Sequence, residues 1–402
     1  MPKALILEDI KPVAAQNFEA AGFEVETFPK SLPPEAIAEQ LEGVDVLGIR
    51  SGPNIPAEII EASAGLLAIG CFCVGTDQID KVAAQESGIA IFNAPHENGR
   101  SVGEYVMGAT YSLIRRLHEH NLALHNGEWT KTDKQSYEVR NKTLGIIGFG
   151  NIGSQAGQIA ESNGMNVIFY DREDKPRLGN TRRGDSMEEV LETADVVTVH
   201  VPGGLRGPVI GREQLMTMKP GALLINSARA AAVDNLALLE SIQSGHLAGA
   251  AIDVHKDEPK STKEAFSSLF ANERRVLLTP HIGGSTQEAQ LEAARSVSAK
   301  LIDFVLTGST ASSINLPQIN LQPVSDPGLS RISYIHRNQS GAMAELTDLI
   351  GDNKLNIVET HQKSAGELGY GVIDIEGEFS SDMLAAARRL PLEIKTRVIP
   401  KK

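Results

Sequence analysis

The chain has 402 residues, 41% hydrophobic and 22% charged, with a formal net charge of −13. That length asks for two or three domains rather than one, and a surface this acidic argues against nucleic acid or an anionic membrane as partner. No apolar run reaches the roughly 18 residues of a membrane span. The opening MPKALILEDI runs straight into a strand, without the layout of a signal peptide. Two cysteines, Cys71 and Cys73, are too few for a disulfide framework or a metal centre. The cytoplasm is the expected compartment.

In chain order, residues 4–7, 25–28, 46–49, 67–70 and 89–92 are short, continuous apolar runs separated by amphipathic stretches such as 12–21 and 33–41. Continuous rather than alternating runs predict a parallel sheet covered on both faces, flavodoxin-like in pattern. Arg50-Ser51 follows the third run, and a Gly-containing turn, residues 71–77, follows the fourth. In open α/β sheets ligands lie beyond the carboxyl ends of strands, so both turns are candidates for holding a carboxylate. A long helical stretch is expected over 101–125, with Trp129 and Lys131 in the loop after it.

Residues 143–153 (TLGIIGFGNIG) predict a strand entering G-x-G-x-x-G, followed by a small-residue helix over 151–163, a second strand over 165–170 and Asp171 at its end. This is the dinucleotide fingerprint. Gly148 permits the tight turn, Gly150 lets backbone approach a pyrophosphate, and Gly153 lets the helix sit close to the strand. The helix N-terminus offers amide donors to phosphate. Asp171 can accept from an adenosine ribose diol and repels a 2′-phosphate, favouring NAD over NADP, although Arg172 beside it works the other way. Further strands are expected at 196–199, 223–226, 250–254 and 276–278, then a helix over 285–306 and a Ser-, Asn- and Pro-rich stretch over 308–327. Residues 329–402 read strand, helix, strand, strand, helix, strand, the ferredoxin-like βαββαβ order.

Three ionisable side chains stand at strand tips of the second sheet: Arg229, Glu258 and His281. Each alone reads equally as a core or surface residue. Together, on the same side as the fingerprint, they form a reaction set. Histidine suits the proton transfer that accompanies hydride transfer at an alcohol. A carboxylate on its other nitrogen fixes the tautomer and raises basicity. Arginine clamps a 2-oxo acid.

The stretches GCFCVGTDQID, FNAPHENGRSVGE, LGIIGFGNIG, FYD, MKPGALLINSAR, HLAGAAIDV and LLTPHIGGSTQEAQ resemble the D-2-hydroxyacid dehydrogenase family over essentially the full length. The resemblance is greatest to the short bacterial branch that oxidises 3-phospho-D-glycerate to 3-phosphohydroxypyruvate, the first step of L-serine biosynthesis, and ends in an ACT domain. It implies an α/β architecture: a discontinuous, flavodoxin-like substrate domain (1–98 and 285–313), a Rossmann NAD domain (99–284), a linker (314–328) and an ACT regulatory domain (329–402). It implies Arg229, Glu258 and His281 as catalytic. NAD would be met by Gly148, Gly150, Asn151, Ile152, Gly153, Asp171, Pro202, Ser227, Ala228, Arg229, Asp253, His281, Ile282, Gly283 and Gly284. Substrate would be met by Arg50, Ser51, Val74, Gly75, Asn98 and Lys131. L-serine as effector would be met by His336, Asn338 and Asn356, in a homotetramer.

The chain departs from the branch at several points. Gly52 stands for a second phosphate-binding arginine, Ala230 for a glycine, and His255 and His96 for aromatics. Gln339-Ser340-Gly341 stands for Arg-Pro-Gly. Gly52 leaves open another D-2-hydroxy acid such as 2-hydroxyglutarate, and Ala230 with His255 leaves open a ligand sensor without turnover.

Overall fold

A computed structural model describes residues 1–204, 206–259 and 264–400. The chain divides into two compact units, residues 1–94 with 290–402, and residues 95–289. None of the helices among the described residues is long and apolar enough to cross a membrane.

The first unit opens with five parallel strands, β1 (Lys3–Leu7), β2 (Glu24–Phe28), β3 (Val46–Ile49), β4 (Ala68–Cys71) and β5 (Ala90–Phe92). Their order is β2-β1-β3-β4-β5, the flavodoxin-like order expected from the apolar runs. β3, β4 and β5 are buried throughout, as strands covered on both faces must be.

The second unit holds β6 (Thr143–Ile147), β7 (Asn166–Tyr170), β8 (Arg182–Arg183), β9 (Val196–Val199), β10 (Leu223–Asn226), β11 (Gly249–Ile252) and β12 (Val276–Leu278). The order β12-β11-β10-β9-β6-β7-β8 reverses at β6, which places the switch point of a Rossmann sheet at the fingerprint. β8, two exposed-to-intermediate arginines on the sheet edge, has no apolar signature and is absent from the sequence expectation. The single helix expected over 101–125 is two, Gly99–Ile114 and Leu117–His125. Arg116 between them is left-handed at φ 51°. Its guanidinium holds Glu119 at 2.7 Å and Gln135 at 3.2 Å, while Tyr137 N–H takes the Ile114 carbonyl at 3.1 Å, so the break is fixed by the loop that follows.

The helix Gln287–Thr307 leads back into the first unit. There a Cβ on Gly70 of β4 would lie 2.5 Å from Leu301, so helix and sheet touch through the glycine. The stretch that follows, expected as a linker, is largely seated. Ser309, Thr310, Ser313, Leu316, Ile319 and Leu321 are buried. Ile314 N–H donates to Ile91 O at 3.0 Å, and the Asn315 amide accepts from Ile91 N–H and donates to Ile89 O, both at 2.8 Å. These bonds close the free edge of β5.

The C-terminal segment supplies β13 (Leu329–Arg337), β14 (Ile357–Ala365), β15 (Leu368–Glu376) and β16 (Glu393–Val398), with helices Ala342–Asp352 and Ser381–Ala387. The antiparallel order β14-β15-β13-β16 is the ferredoxin-like one. Both faces of its central strands are used. Tyr334, Ile373 and Ile375 face a core with Leu346, Ile350 and Met383 of the two helices. The alternate residues Ile335, Leu368, Tyr370 and Val372 join the core of the first sheet with Phe92, Leu301 and Phe304.

Polar anchors accompany that contact. Arg397 donates to Phe304 O at 2.6 Å and Val305 O at 3.0 Å, and Arg331 to Thr307 O at 3.1 Å, so two distant cations cap the carbonyl end of helix Gln287–Thr307. Tyr370 donates to Gly308 O at 2.6 Å. Arg331 is itself buried and paired twice to buried Asp374, both at 2.7 Å. Removing the carboxylate from such a pair strands a buried charge, which costs about 3–5 kcal/mol. Asp374→Ala is therefore expected to lower the urea unfolding free energy by that order. A loss under ~1 kcal/mol would contradict a closed, dry ion pair.

Candidate active site

The fingerprint turn has the geometry a dinucleotide requires. Gly148 has φ +95°, and a Cβ there would lie 2.2 Å from His200 O; a Cβ on Gly153 would lie 2.2 Å from Gly148 O. Neither position accepts another residue without moving backbone. Around Gly150, by contrast, a Cβ would meet nothing within 4 Å, so the turn is open where phosphate lies. Helix Asn151–Ser162 begins there, and its first internal bond is Ser154 N–H to Gly150 O at 3.0 Å, which leaves the preceding amides facing the opening.

Asp171, at the end of β7, accepts from Phe149 N–H at 2.7 Å and Glu173 N–H at 3.0 Å, one per carboxylate oxygen. The remaining lone pairs of each oxygen suit a ribose diol. Ser227 Oγ, after β10, is buried with no hydrogen-bond partner among the described residues, a donor placed for a ligand. Asn151 is exposed, its amide reaching Pro95 O at 3.3 Å, and Pro202 is exposed in the loop after β9. These residues fit NAD.

The candidate catalytic set is built on two buried polar residues at neighbouring strand tips. Asn226 ends β10: its amide donates to Arg229 O at 3.0 Å and accepts from Ala228 N–H at 3.1 Å, shaping the turn that carries Arg229. Asp253, 1% exposed, follows β11 and grips the turn after β12. It accepts from Thr279 Oγ1 at 2.6 Å, Ile282 N–H at 2.9 Å and Gly283 N–H at 2.8 Å, while its carbonyl takes His281 N–H at 2.8 Å. Thr279 spends its one proton on Asp253, so Tyr105, 2.7 Å away, donates to Thr279. Asn98 meets Gly284, where a Cβ would lie 2.5 Å from its amide nitrogen, and its Oδ1 is buried without a partner among the described residues.

His281 sits in left-handed backbone, φ 53°, a conformation histidine adopts more readily than branched residues. Its Nδ1 meets Glu258 Oε2 at 2.8 Å, and the other Glu258 oxygen accepts from His255 N–H at 2.9 Å. That leaves Nε2, with no hydrogen bond among the described residues, as the nitrogen available for a proton transfer. The hydrogen bond to Glu258 raises His281 above its ordinary 6.5, against burial and the nearby Arg229 charge. Burial would raise Glu258, but the bonds from His281 and His255 hold it below its ordinary range. His255, where an aromatic was expected, donates from Nε2 to Thr279 O at 2.9 Å and meets Phe266 edge-on. Tyr105, Thr279 and Asn226 were not singled out in the sequence. Thr279 and Asn226 had a signal only through their places inside LLTPHIGG and MKPGALLINSAR.

In the first unit, Arg50 and Ser51 follow β3, and Val74 and Gly75 follow β4. Glu8 (φ 66°) turns its carboxylate onto the Arg50 loop, accepting Arg50 N–H at 2.5 Å and Gly52 N–H at 3.3 Å. A Cβ on Gly52 would lie 2.8 Å from Glu8 Oε1. Asn93 holds Val74 O at 2.7 Å. Lys131 is exposed in the loop with Trp129.

A family model, "D-isomer specific 2-hydroxyacid dehydrogenase, NAD binding domain", matches residues 107–283. The chain is 40% identical over 401 residues to D-3-phosphoglycerate dehydrogenase of Escherichia coli (strain K12), covering 99% of this chain and 97% of that one. It is 39% identical over 398 residues to the protein of the same name from Dictyostelium discoideum, with the same coverage. The chain belongs to the D-2-hydroxyacid dehydrogenase family. Among solved structures it is similar to a glyoxylate reductase from Paecilomyes thermophila (TM-score 0.68, 26% identity, 78% of this chain and 98% of that one). It is also similar to a D-2-hydroxyisocaproate dehydrogenase (TM-score 0.68, 26% identity, 78% and 99%). The chain is an NAD-dependent dehydrogenase of this family.

With His281 as base, oxidation needs the neutral imidazole and reduction the protonated one. Because Glu258 raises its pKa, oxidation is expected to rise with pH through a midpoint above 6.5, and reduction to fall through it. Glu258→Gln removes the leading cause: both midpoints should move to lower pH, with kcat for oxidation falling about 10²-fold. Unmoved pH profiles in that variant would refute the pairing.

Proposed function

We propose that this dehydrogenase oxidises 3-phospho-D-glycerate to 3-phosphohydroxypyruvate with NAD, the first step of L-serine biosynthesis. The observation that carries the reading is near-full-length identity of 40% to an enzyme of that name, joined to a His281–Glu258 pair at 2.8 Å. A bound NAD would supply the hydride acceptor for C2. His281 Nε2 takes the hydroxyl proton, Glu258 stabilises the imidazolium that results, and Arg229 holds the carboxylate and draws electron density from the forming carbonyl. Arg50, Ser51, the backbone of Val74 and Gly75, Asn98 and Lys131 are assigned to the substrate, with Asn98 Oδ1 supported by its missing partner among the described residues.

A second reading, another D-2-hydroxy acid such as 2-hydroxyglutarate, is favoured by the Gly52 loop, whose two amides already hold the Glu8 carboxylate. A panel of phosphorylated and unphosphorylated acids, each with NAD and NADP, separates the two. The first reading expects kcat/KM to drop by at least ~10²-fold when the phosphate is removed, the scale of a lost charged contact. Equal kcat/KM values would transfer the assignment to the second. His281→Ala is expected to cost about 10²–10⁴-fold in kcat in either case.

The βαββαβ segment is proposed as an ACT domain that binds L-serine through His336, Asn338 and Asn356. His336 Nδ1 donates to Arg337 O at 2.8 Å, and its buried Nε2 has no partner among the described residues, so it can accept from an ammonium group. Asn338 binds Gly366 O at 3.0 Å, and Asn356 is exposed beside β14. A homotetramer in the cytoplasm completes the reading. It draws on Leu117, Leu122, Leu124 and Trp129, exposed apolar side chains of one stretch of the chain. L-serine titrated into turnover should inhibit wild type and leave Asn338→Ala unaffected; a flat response in both removes the effector assignment.

A further inference from the structure

Cys71 and Cys73 are outside the reaction chemistry, yet they are placed as a pair. β4 ends at Cys71, and the chain bends through residues 72–74. Both side chains lie on the same face. Cys71 belongs to the core between β4 and its helices, and Cys73 packs half-buried against it. The two thiols are close enough to share one polar neighbour. One side-chain amide serves both: Gln78 Nε2 is 3.7 Å from Cys71 Sγ and 3.8 Å from Cys73 Sγ, and it also donates to Arg50 O at 2.6 Å. Cys73 Sγ in turn lies 3.2 Å from Gly75 O. Gln78 thus ties the pair of thiols to the loop that follows β3.

We propose that Cys71 and Cys73 form a reversible redox pair that closes to a disulfide under a hydroperoxide and displaces the 73–75 loop. The Cys73 thiolate attacks the peroxide oxygen. The O–O bond breaks, an alcohol (water, from hydrogen peroxide) leaves with a solvent proton, and Cys73 becomes a sulfenic acid. Cys71 then attacks that sulfur, the S–S bond forms and the sulfenic hydroxyl leaves as water with the Cys71 proton. Two thiols lose two electrons, and the peroxide bond gains them. A small dithiol reverses the reaction.

The division of labour follows from surroundings. The neighbouring Cys71 sulfur holds the Cys73 thiol below its ordinary range, against burial. Gln78 and Arg50 add to the effect and Glu8 opposes it. The Cys73 sulfur, with burial, pushes Cys71 well up. Cys71 is closed off in the core while Cys73 is reached from the loop side, so Cys73 is the attacking sulfur and Cys71 the resolving one.

The consequence follows from register. Cys71 is fixed, with Cα partner Ile49 in β3 and its strand paired to β5 on the other side. A disulfide needs S–S near ~2.05 Å and Cα atoms within about 4.4–6.8 Å. Closing it across one intervening residue tightens the bend, and the part free to yield is Cys73 to Gly75 rather than the sheet. The expected effect on substrate rests on the proposed role of Val74 and Gly75; formation of the disulfide does not.

The test uses the reduced full-length protein with hydrogen peroxide. Titratable thiols should fall from the two in the sequence to none, and the intact mass should drop by two hydrogens. KM for the substrate found in the panel should rise roughly tenfold with kcat nearly unchanged, the response to a misplaced binding group. Dithiothreitol should restore both. Cys71→Ala should keep the basal KM and form no disulfide, its Cys73 being trapped as a sulfenic acid. Two thiols persisting in excess peroxide, or Cys73 passing to sulfinic acid in wild type without a disulfide, overturns the redox pair. A verified disulfide with KM unchanged overturns only the loop displacement, and is told apart from a wrong substrate assignment by the mass, which does not depend on it.

Discussion

The candidate site depends on one buried carboxylate. Asp253 is inside the fold with almost no access to water, and such a group is tolerable only if its lone pairs are met. Thr279 and the amides of Ile282 and Gly283 meet them. In doing so they wrap the chain after β12 around Asp253 and leave His281 at the apex in left-handed backbone. The position of the imidazole is thus set by main-chain bonds to a fixed anion, and the Glu258 contact only has to orient the ring.

The neighbouring strand repeats the device in neutral form. Asn226 offers one donor and one acceptor to the Ser227–Arg229 turn, and Asp253 N–H bonds the Asn226 carbonyl at 3.0 Å. The two clamps are therefore coupled through the sheet. Behind them Tyr105 closes the chain of hydroxyls on Thr279, and burial raises its phenol to about 12, so it remains a donor throughout the working pH range. A low-dielectric network fully satisfied in this way resists rearrangement.

Much of this was legible in the sequence, for identifiable reasons. Strands buried on both faces are continuous apolar runs, and most of them appear within a residue or two of the expected bounds. The fingerprint is legible because Gly148 and Gly153 stand where any Cβ would strike a carbonyl. The pairing of His281 with Glu258 could be anticipated because both follow strands of one sheet. What escaped reading depends on partners far away in the chain. The helix break at Arg116 is held by Gln135 and Tyr137. β8 is a pair of arginines with no apolar content. Asn226 and Thr279 carry no chemistry of their own and matter only through what they hold. The stretch after the helix Gln287–Thr307 has a linker's composition, but its Asn315 supplies to β5 the bonds a neighbouring strand would have made.

That last feature bears on how the gene for such a chain can be cut and recombined. Residues beyond 307 look like an appendix: a polar connector and a small, self-contained fold. Physically they finish two unfinished surfaces of what precedes them. Asn315 closes an open strand, and Arg331, Arg397 and Tyr370 close the carbonyl end of a long helix. The apolar side of the terminal sheet roofs Phe92 and Phe304. A chain stopped before this segment is left with a sticky edge and an uncovered oily patch, the ingredients of self-association. Swapping the terminal fold for another would require the newcomer to bring the same closures.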